Sequence, residues 1–280
     1  MKASSLAAVA LVAIGFAGVA QAGPKSPLYL TDIYIQGHNR QDSGVVQGNG
    51  VINSFPEAYG APNEIPIAVW GDVRTTGWST FVSAFYPTGG QYTLGGTPTG
   101  TSYVLPGVGN EAFDSTSDGS HNYLVDLATG TVYQTARDYT NPVALFTAGG
   151  ANPLGITYDR ANNSLWISGW FADTNVTDYS LSGGFISSFS TGHGYNGALA
   201  LDPADQTLWL VNDVGSSGNF GYLEQYSQSG ALLSVGPYVG FTLGGEFNLG
   251  PAATPEPGTL IMFGSGVLGL AGILRRKINL

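Results

Sequence analysis

Three stretches align without a gap: Asp118-GSHNY-Leu124, Asp159-RANNS-Leu165 and Asp202-PADQT-Leu208. In each, an Asp is followed six residues later by a Leu inside an apolar run, continuing as VD, WIS and WLV. The spacings from Asp to Asp are 41 and 43 residues. A second marker follows each copy, a Tyr leading through turn residues into another apolar run: Tyr139-TNPVALF, Tyr179-SLSGGFISSF and Tyr226-SQSGALLSV. Tyr86-PTGGQYTL reads as an earlier copy of this marker, and GNGVINSF at residues 48–55 as a still earlier one without its Tyr.

Periods of 40 to 45 residues containing several short strands are the signature of β-propeller blades. The first marker reads as the hairpin between the first two strands of a blade, with Asp and Asn capping the turn through side chain to backbone bonds. The second reads as the hairpin between the last two strands. Gly is frequent, at 42 of 280 residues, and short apolar runs alternate with Gly, Asn, Asp and Ser, an all-β pattern without helical periodicity in the body. The second marker recurs five times, near Gly50, Gly90, Asn141, Gly183 and Gly230, which predicts five blades; six is the alternative if the irregular first 100 residues hide another. The spacing places blades at residues 26–56, 57–96, 108–149, 150–192 and 193–237, with 97–107 as a loop or insertion. Blade one lacks its innermost strand, and GFTLGGEFNLG at residues 240–250 is left over at the other end. Pairing the two would close the ring and remove exposed edges. An open sandwich or solenoid of the same hairpins is the competing architecture. The repeat pattern resembles NHL-like propellers.

Residues 1–22, MKASSLAAVALVAIGFAGVAQA, have a basic start at Lys2, an apolar stretch and the small pair Ala20 and Ala22. This is the pattern of a signal peptide cut before Gly23, which implies the Sec translocon and signal peptidase as partners. The absence of Cys excludes lipoprotein acylation, disulfides and thiolate metal sites. The exported body, 23–250, carries five cations, Lys25, Arg40, Arg74, Arg137 and Arg160, against every carboxylate of the chain except Glu256. Nucleic acid as a partner is disfavoured, because such binding depends on cations neutralising phosphates.

The C-terminal residues are TPEPGTLIMFGSGVLGLAGILRRKINL. A triplet, Pro255-Glu256-Pro257, ends the 251–257 linker; an uncharged apolar run follows at 258–274, and the tail 275–280 opens with Arg275, Arg276 and Lys277. As a helix the 17-residue run would span about 25 Å, just short of the ~30 Å hydrocarbon core. The cations would stay in the cytoplasm, placing the body on the far side. The prolines hold the triplet extended, as a processing protease needs. This three-part tail resembles the PEP-CTERM sorting signal of Gram-negative bacteria, with Thr254 where that family often has Val. The resemblance implies recognition by an exosortase, cleavage near the triplet, transient anchoring in the inner membrane and delivery to the cell surface or matrix, where exopolysaccharide and biofilm are made.

No catalytic motif emerges from the body. Propeller glycosidases use two carboxyl groups facing each other across the axis, and Glu111, Asp114, Asp72 and Glu246 lie near expected inner strands. A secreted glycoside hydrolase or lyase is therefore the rival to a non-enzymatic adhesion or polysaccharide-binding module. Asp114-STS-Asp118-Gly119 has the opening of a calcium loop without its later ligands or terminal Glu, so calcium stays open and no other cofactor is expected. His38, His121 and His193 occupy non-equivalent repeat positions and read as solvated loop residues rather than metal ligands. Trp70, Trp166 and Trp209 fall in strands as blade packing. Trp78, Trp170 and Phe171 sit nearer loops, where aromatic rings can stack on sugars, and form the candidate ligand platform.

Overall fold

The computed structural model describes residues 20–31, 42–59, 64–77, 88–104, 111–213 and 221–250. A two-residue strand, β1 (Ala20–Gln21), precedes β2 (Leu28–Thr31), β3 (Asp42–Gln47) and β4 (Gly50–Pro56) of blade one. Blade two comprises β5 (Ile67–Trp70), β6 (Val73–Thr76), β7 (Thr88–Thr93) and β8 (Pro98–Val104). Blade three is β9 (Ser115–Ser117), β10 (His121–Val125), β11 (Thr131–Ala136) and β12 (Val143–Thr147). Blade four is β13 (Pro153–Asp159), β14 (Ser164–Gly169), β15 (Asn175–Ser180) and β16 (Phe185–Ser190). Blade five is β17 (Asn196–Asp202), β18 (Thr207–Asn212), β19 (Tyr222–Tyr226) and β20 (Leu232–Tyr238), after which β21 (Gly244–Phe247) returns to blade one.

Each blade is an antiparallel meander, and β21 pairs with β2, Leu28 opposite Phe247 and Thr31 opposite Gly244, giving the sheet order β21-β2-β3-β4. The inner strands touch in the cycle β21, β5, β9, β13, β17 and back to β21. The ring has five blades, and the expected closure by the last strand is what seals it. Hydrogen bonding between first and last strands removes the open edge that an incomplete ring would expose.

The turns follow the sequence reading. Asp118 Oδ1 accepts bonds from the amides of Ser120 and His121, Asp159 Oδ1 from Ala161 and Asn162, and Asp202 Oδ1 from Ala204. The second marker is a Gly turn covered by the neighbouring blade. Gly96, Gly183 and Gly230 all have φ between 84° and 87°. A Cβ there would come within 2.1 Å of the Phe55 ring, 2.6 Å of Phe146 and 2.5 Å of Phe189, each from the outer strand of the preceding blade. Only Gly tolerates both the left-handed backbone and the ring stacked on it.

Blade two departs from expectation. Residues 98–104 are its outer strand rather than a loop, and Gly90 lies inside β7 rather than at a turn. The Gly pair that imitates a turn is there for lack of space: a Cβ on Gly89 would sit 2.1 Å from Thr76 O and one on Gly90 1.8 Å from the Tyr59 ring. The true turn lies about five residues later, at Gly95 and Gly96, where the Gly96 amide bonds to Thr93 O. Trp166 and Trp209 are 1% exposed and fill the blades as expected, while Trp70 is only partly buried.

The chain segment after β1 crosses the seam between blades five and one. The Gly48 amide bonds to Pro24 O, Ser26 Oγ donates to Asp202 Oδ1 at 2.9 Å, and Lys25 pairs with Asp205 at 3.2 Å. Ala22 and Gly23, the expected cleavage residues, lie on this segment, and β1 runs parallel to β20 with Ala20 opposite Ser234.

Candidate functional site: the axis and its two ends

Along the inner strands the propeller has no open channel among the described residues. Every residue of β9, β13, β17 and β21 is buried. Two of the four candidate carboxylates meet here. Asp114, just before β9, and Glu246, on β21, are both fully buried.

Asp114 accepts four amide bonds, two at each oxygen. Oδ1 takes Ser115 and Gly245, and Oδ2 takes Ile156 and Leu199, all at 2.9–3.1 Å. One side chain thus ties blades three, one, four and five together. Glu246 accepts the Thr157 hydroxyl and the Phe247 amide, while Thr157 Oγ1 accepts from Leu201 and Thr116 Oγ1 from Tyr158. Burial pushes both carboxyls well above the carboxylate range; at Asp114 the amide bonds oppose it, and at Glu246 the Asp114 charge adds to it. Four donors occupy both oxygens of Asp114, which favours the charged form there over Glu246. Neither oxygen pair faces solvent, and a glycosidase needs room for a sugar and a water between its carboxyls. The arrangement is a fastener for the ring.

Glu111 and Asp72 are elsewhere. Glu111 is partly exposed before β9, and Asp72 is exposed in the β5–β6 turn. Asp118 caps its own turn and also accepts the Tyr123 hydroxyl at 2.7 Å, so Asp114 and Asp118 are engaged separately. The sequence signal for the hub is visible in hindsight. In the aligned repeats Asp114 stands where the sister copies have Gly155 and Ala198, and Ser115-Thr116-Ser117 stands where they have Ile156-Thr157-Tyr158 and Leu199-Ala200-Leu201.

The two ends of the axis differ. Where the inner strands begin, Ile65, Phe113, Leu154 and Leu243 form an apolar plug with Trp170 against it. Trp170 is 4% exposed and packs edge-on to Tyr195 at 5.1 Å and Phe241 at 6.1 Å. Phe171 lies at the surface, 44% exposed, its ring 5.4 Å from that of Tyr195. Phe171 and Tyr195 both have positive φ, 47° and 55°. Bulky residues rarely adopt that region. They are held there by the Tyr195 amide bonding to Phe171 O and by Gly194, whose missing Cβ would lie 1.7 Å from that oxygen. Trp78 and His38 lie outside the described residues.

Where the inner strands end, a pocket of about 360 Å³ is lined by Tyr158, Arg160, Leu201, Gln206, Leu249 and Gly250 among others. Arg160 stands 5.9 Å from the Trp70 ring. The chain leaves the body here, with Gly250 against Gly71 and Asn248 bonded to the Gly71 amide and carbonyl.

The histidines do not all behave as solvated loop residues. His121 is half-exposed beside Asp118. His193 is partly buried with its side chain only 7% exposed, its Nε2 2.8 Å from Glu224 Oε2, which also accepts the Tyr226 hydroxyl. Glu224 is buried away from water, and Asn212 Nδ2 donates to its other oxygen at 3.3 Å. Burial lowers the His193 pKa, but the bonds to Glu224 and to the Gly194 carbonyl, with the charge of Glu224, together outweigh it and the net shift is upward. Among the described residues no three His, Asp or Glu side chains are grouped to hold a metal ion.

The described body therefore ends, at Gly250, at the end of the axis where the inner strands finish. Residues 253–277 are a PEP-CTERM protein-sorting motif. This motif covers Pro255, Glu256, Pro257, the apolar run and Arg275 to Lys277, all outside the described residues. It implies export, membrane-anchored sorting and processing by an exosortase. Among the described residues no helix is long and apolar enough to cross a membrane. No curated protein matches the chain. A chain in the crystal structure of a nidogen/laminin complex has the same fold, with a TM-score of 0.53 and 16% identity over 78% of this chain and 81% of that one. A protein of unknown function from Bacteroides caccae follows, at TM-score 0.44 and 10% identity over 75% and 72% of the two chains. A chain of the mitotic checkpoint complex gives 0.44 and 13% over 74% and 62%.

Proposed function

We propose that this exosortase-sorted propeller acts outside the cell as a non-catalytic binding module for extracellular polysaccharide, delivered to the surface or matrix after its signal peptide and sorting tail are removed. The observation that carries the reading is the aromatic surface at the end of the axis remote from the tail. Phe171 and Tyr195 are held side by side in the left-handed region, a conformation that costs roughly 1–3 kcal/mol per residue and that persists at ligand sites. An exposed ring beside a second ring is what stacks on a sugar face. The sealed, hydrogen-bonded state of Asp114 and Glu246 supports a binding role over the rival hydrolase.

The test is retention of the purified protein on the producing organism's own immobilised exopolysaccharide. Phe171→Ala, at an exposed position, should weaken retention by roughly tenfold, the equivalent of about 1.4 kcal/mol. No retention of the unaltered protein would remove the binding role. For the sorting half, Pro255→Ala with Pro257→Ala should leave the protein at the inner membrane with Leu280 intact by mass spectrometry. Surface delivery of that variant would overturn it.

A further inference from the structure

Apart from Phe171 and Tyr238, the exposed large hydrophobic side chains among the described residues lie at one place, in every blade but the second. Ile52, Val143, Phe185, Ile186, Leu232 and Leu233 all fall within the first three positions of the fourth blade strands β4, β12, β16 and β20. Phe185 is 66% exposed, Ile52 59% and Val143 58%. Strands alternate in direction across each blade. The start of every outer strand therefore lies at the end of the axis where the inner strands finish, the end at which Gly250 leads into the tail. The turns leading into β4, β16 and β20 carry no charged side chain, while the turn into β12 carries Arg137 and an exposed Asp138.

We propose that this apolar rim rests on the phospholipid bilayer while the sorting tail is still inserted. The linker, residues 251–257, reaches at most about 25 Å when fully extended, so the inserted tail holds this end of the propeller against the head groups. A globular partner would cover one blade edge; a broad flat surface meets four around the circumference at once. Apolar side chains among polar neighbours sink roughly 5–10 Å into the interface without crossing it. The contact would hold the linker and its Pro-Glu-Pro triplet at the membrane surface, where a membrane-embedded processing enzyme reaches it.

The chain contains no Cys, so single labels are clean. Full-length protein carrying Ile186→Cys, Leu233→Cys or Ile52→Cys, and Phe171→Cys at the opposite end, is labelled with an environment-sensitive fluorophore and reconstituted in phosphatidylethanolamine and phosphatidylglycerol vesicles. Labels at the rim should shift to the blue and be quenched severalfold more by nitroxide lipids than the Phe171 label. Equal quenching at both ends overturns the proposal. So does rim shielding that appears in detergent without lipid and grows with protein concentration, which would mark contact between copies. The proposal rests on the tail being membrane-inserted; alkaline carbonate extraction of the same vesicles tests that separately, since release of the whole chain would refute insertion itself.

Discussion

Strands β13 and β17 bury all seven of their residues, whereas β16, the outer strand of the same blade as β13, leaves Phe185 two-thirds exposed. The inner strands also carry the polar groups: Asp114, Thr116, Thr157 and Glu246 are buried and bonded, while the outer strands start with bare apolar side chains. This inverts the simple expectation of apolar inside and polar outside. A buried polar group is stable only when each donor and acceptor is met, and the inner strands of four blades supply those partners at the axis. At the rim these apolar side chains stay uncovered, even in blade five where β1 pairs outside β20, so a surface that keeps them has another use for them.

The sharpest way to break the contrast is at the hub. Asp114→Ala would leave four buried amides without an acceptor, at about 1–3 kcal/mol each, a loss comparable to the whole ~5–15 kcal/mol of a domain. No folded protein should accumulate, by circular dichroism or by proteolysis. Asp114→Asn, which turns an amino group toward two amide donors, should cost about 3 kcal/mol or more in urea unfolding. Glu246→Gln copies the protonated acid and should change stability at neutral pH by less than about 1 kcal/mol. Equal penalties for the last two would refute the assignment of the charge to Asp114.

Between axis and rim stand the blade-to-blade contacts. Gly183→Ala combines a left-handed φ with a clash against Phe146 and should cost about 1–3 kcal/mol. Asn141→Ala, at a left-handed turn position in blade three where the native residue already carries a Cβ, should cost less. Thermal melts of the two would show whether the ring contact adds to the backbone cost.

A smaller effect follows from His193. Its folded-state pKa lies above the unfolded value of about 6.5. The stabilisation is therefore complete below that value and fades as pH rises through the folded pKa. Melting temperature should fall on going upward from about pH 6.5, and His193→Gln should flatten that part of the profile. An unchanged slope would mean that the Glu224 contact is not what sets it. Smallest of all should be Phe185→Ser, within about 0.5 kcal/mol of the unaltered protein in urea unfolding, because the side chain is exposed. A larger loss would mean that the rim is structural after all.

Much of this was legible in the chain. The Asp-to-Asp spacing of 41 and 43 residues gave the blades, the capped turns are where the aligned Asp residues stand, and the unmatched strand at the end closes the ring. Blade two was misread because a Gly pair has two causes, a turn or a lack of space, and only the positions of Tyr59 and Tyr103 distinguish them. His193 was misread because its partner, Glu224, lies 31 residues away on another strand. Phe171 could be flagged as an aromatic near a loop, but its left-handed backbone and its contact with Tyr195 belong to no local pattern.

The sequence by itself determined the repeat, the closing strand and the sorting tail, because each is written in local spacing, turn chemistry or hydropathy that acts over a few residues. Only the tertiary structure decided what the acidic residues do and which side chains face outward. Asp114 and Glu246 stand 132 residues apart in the chain, and whether two such carboxyls form a cleft or a sealed fastener depends on which backbone amides converge on them. That convergence exists only once the inner strands of blades one, three, four and five have met at the axis.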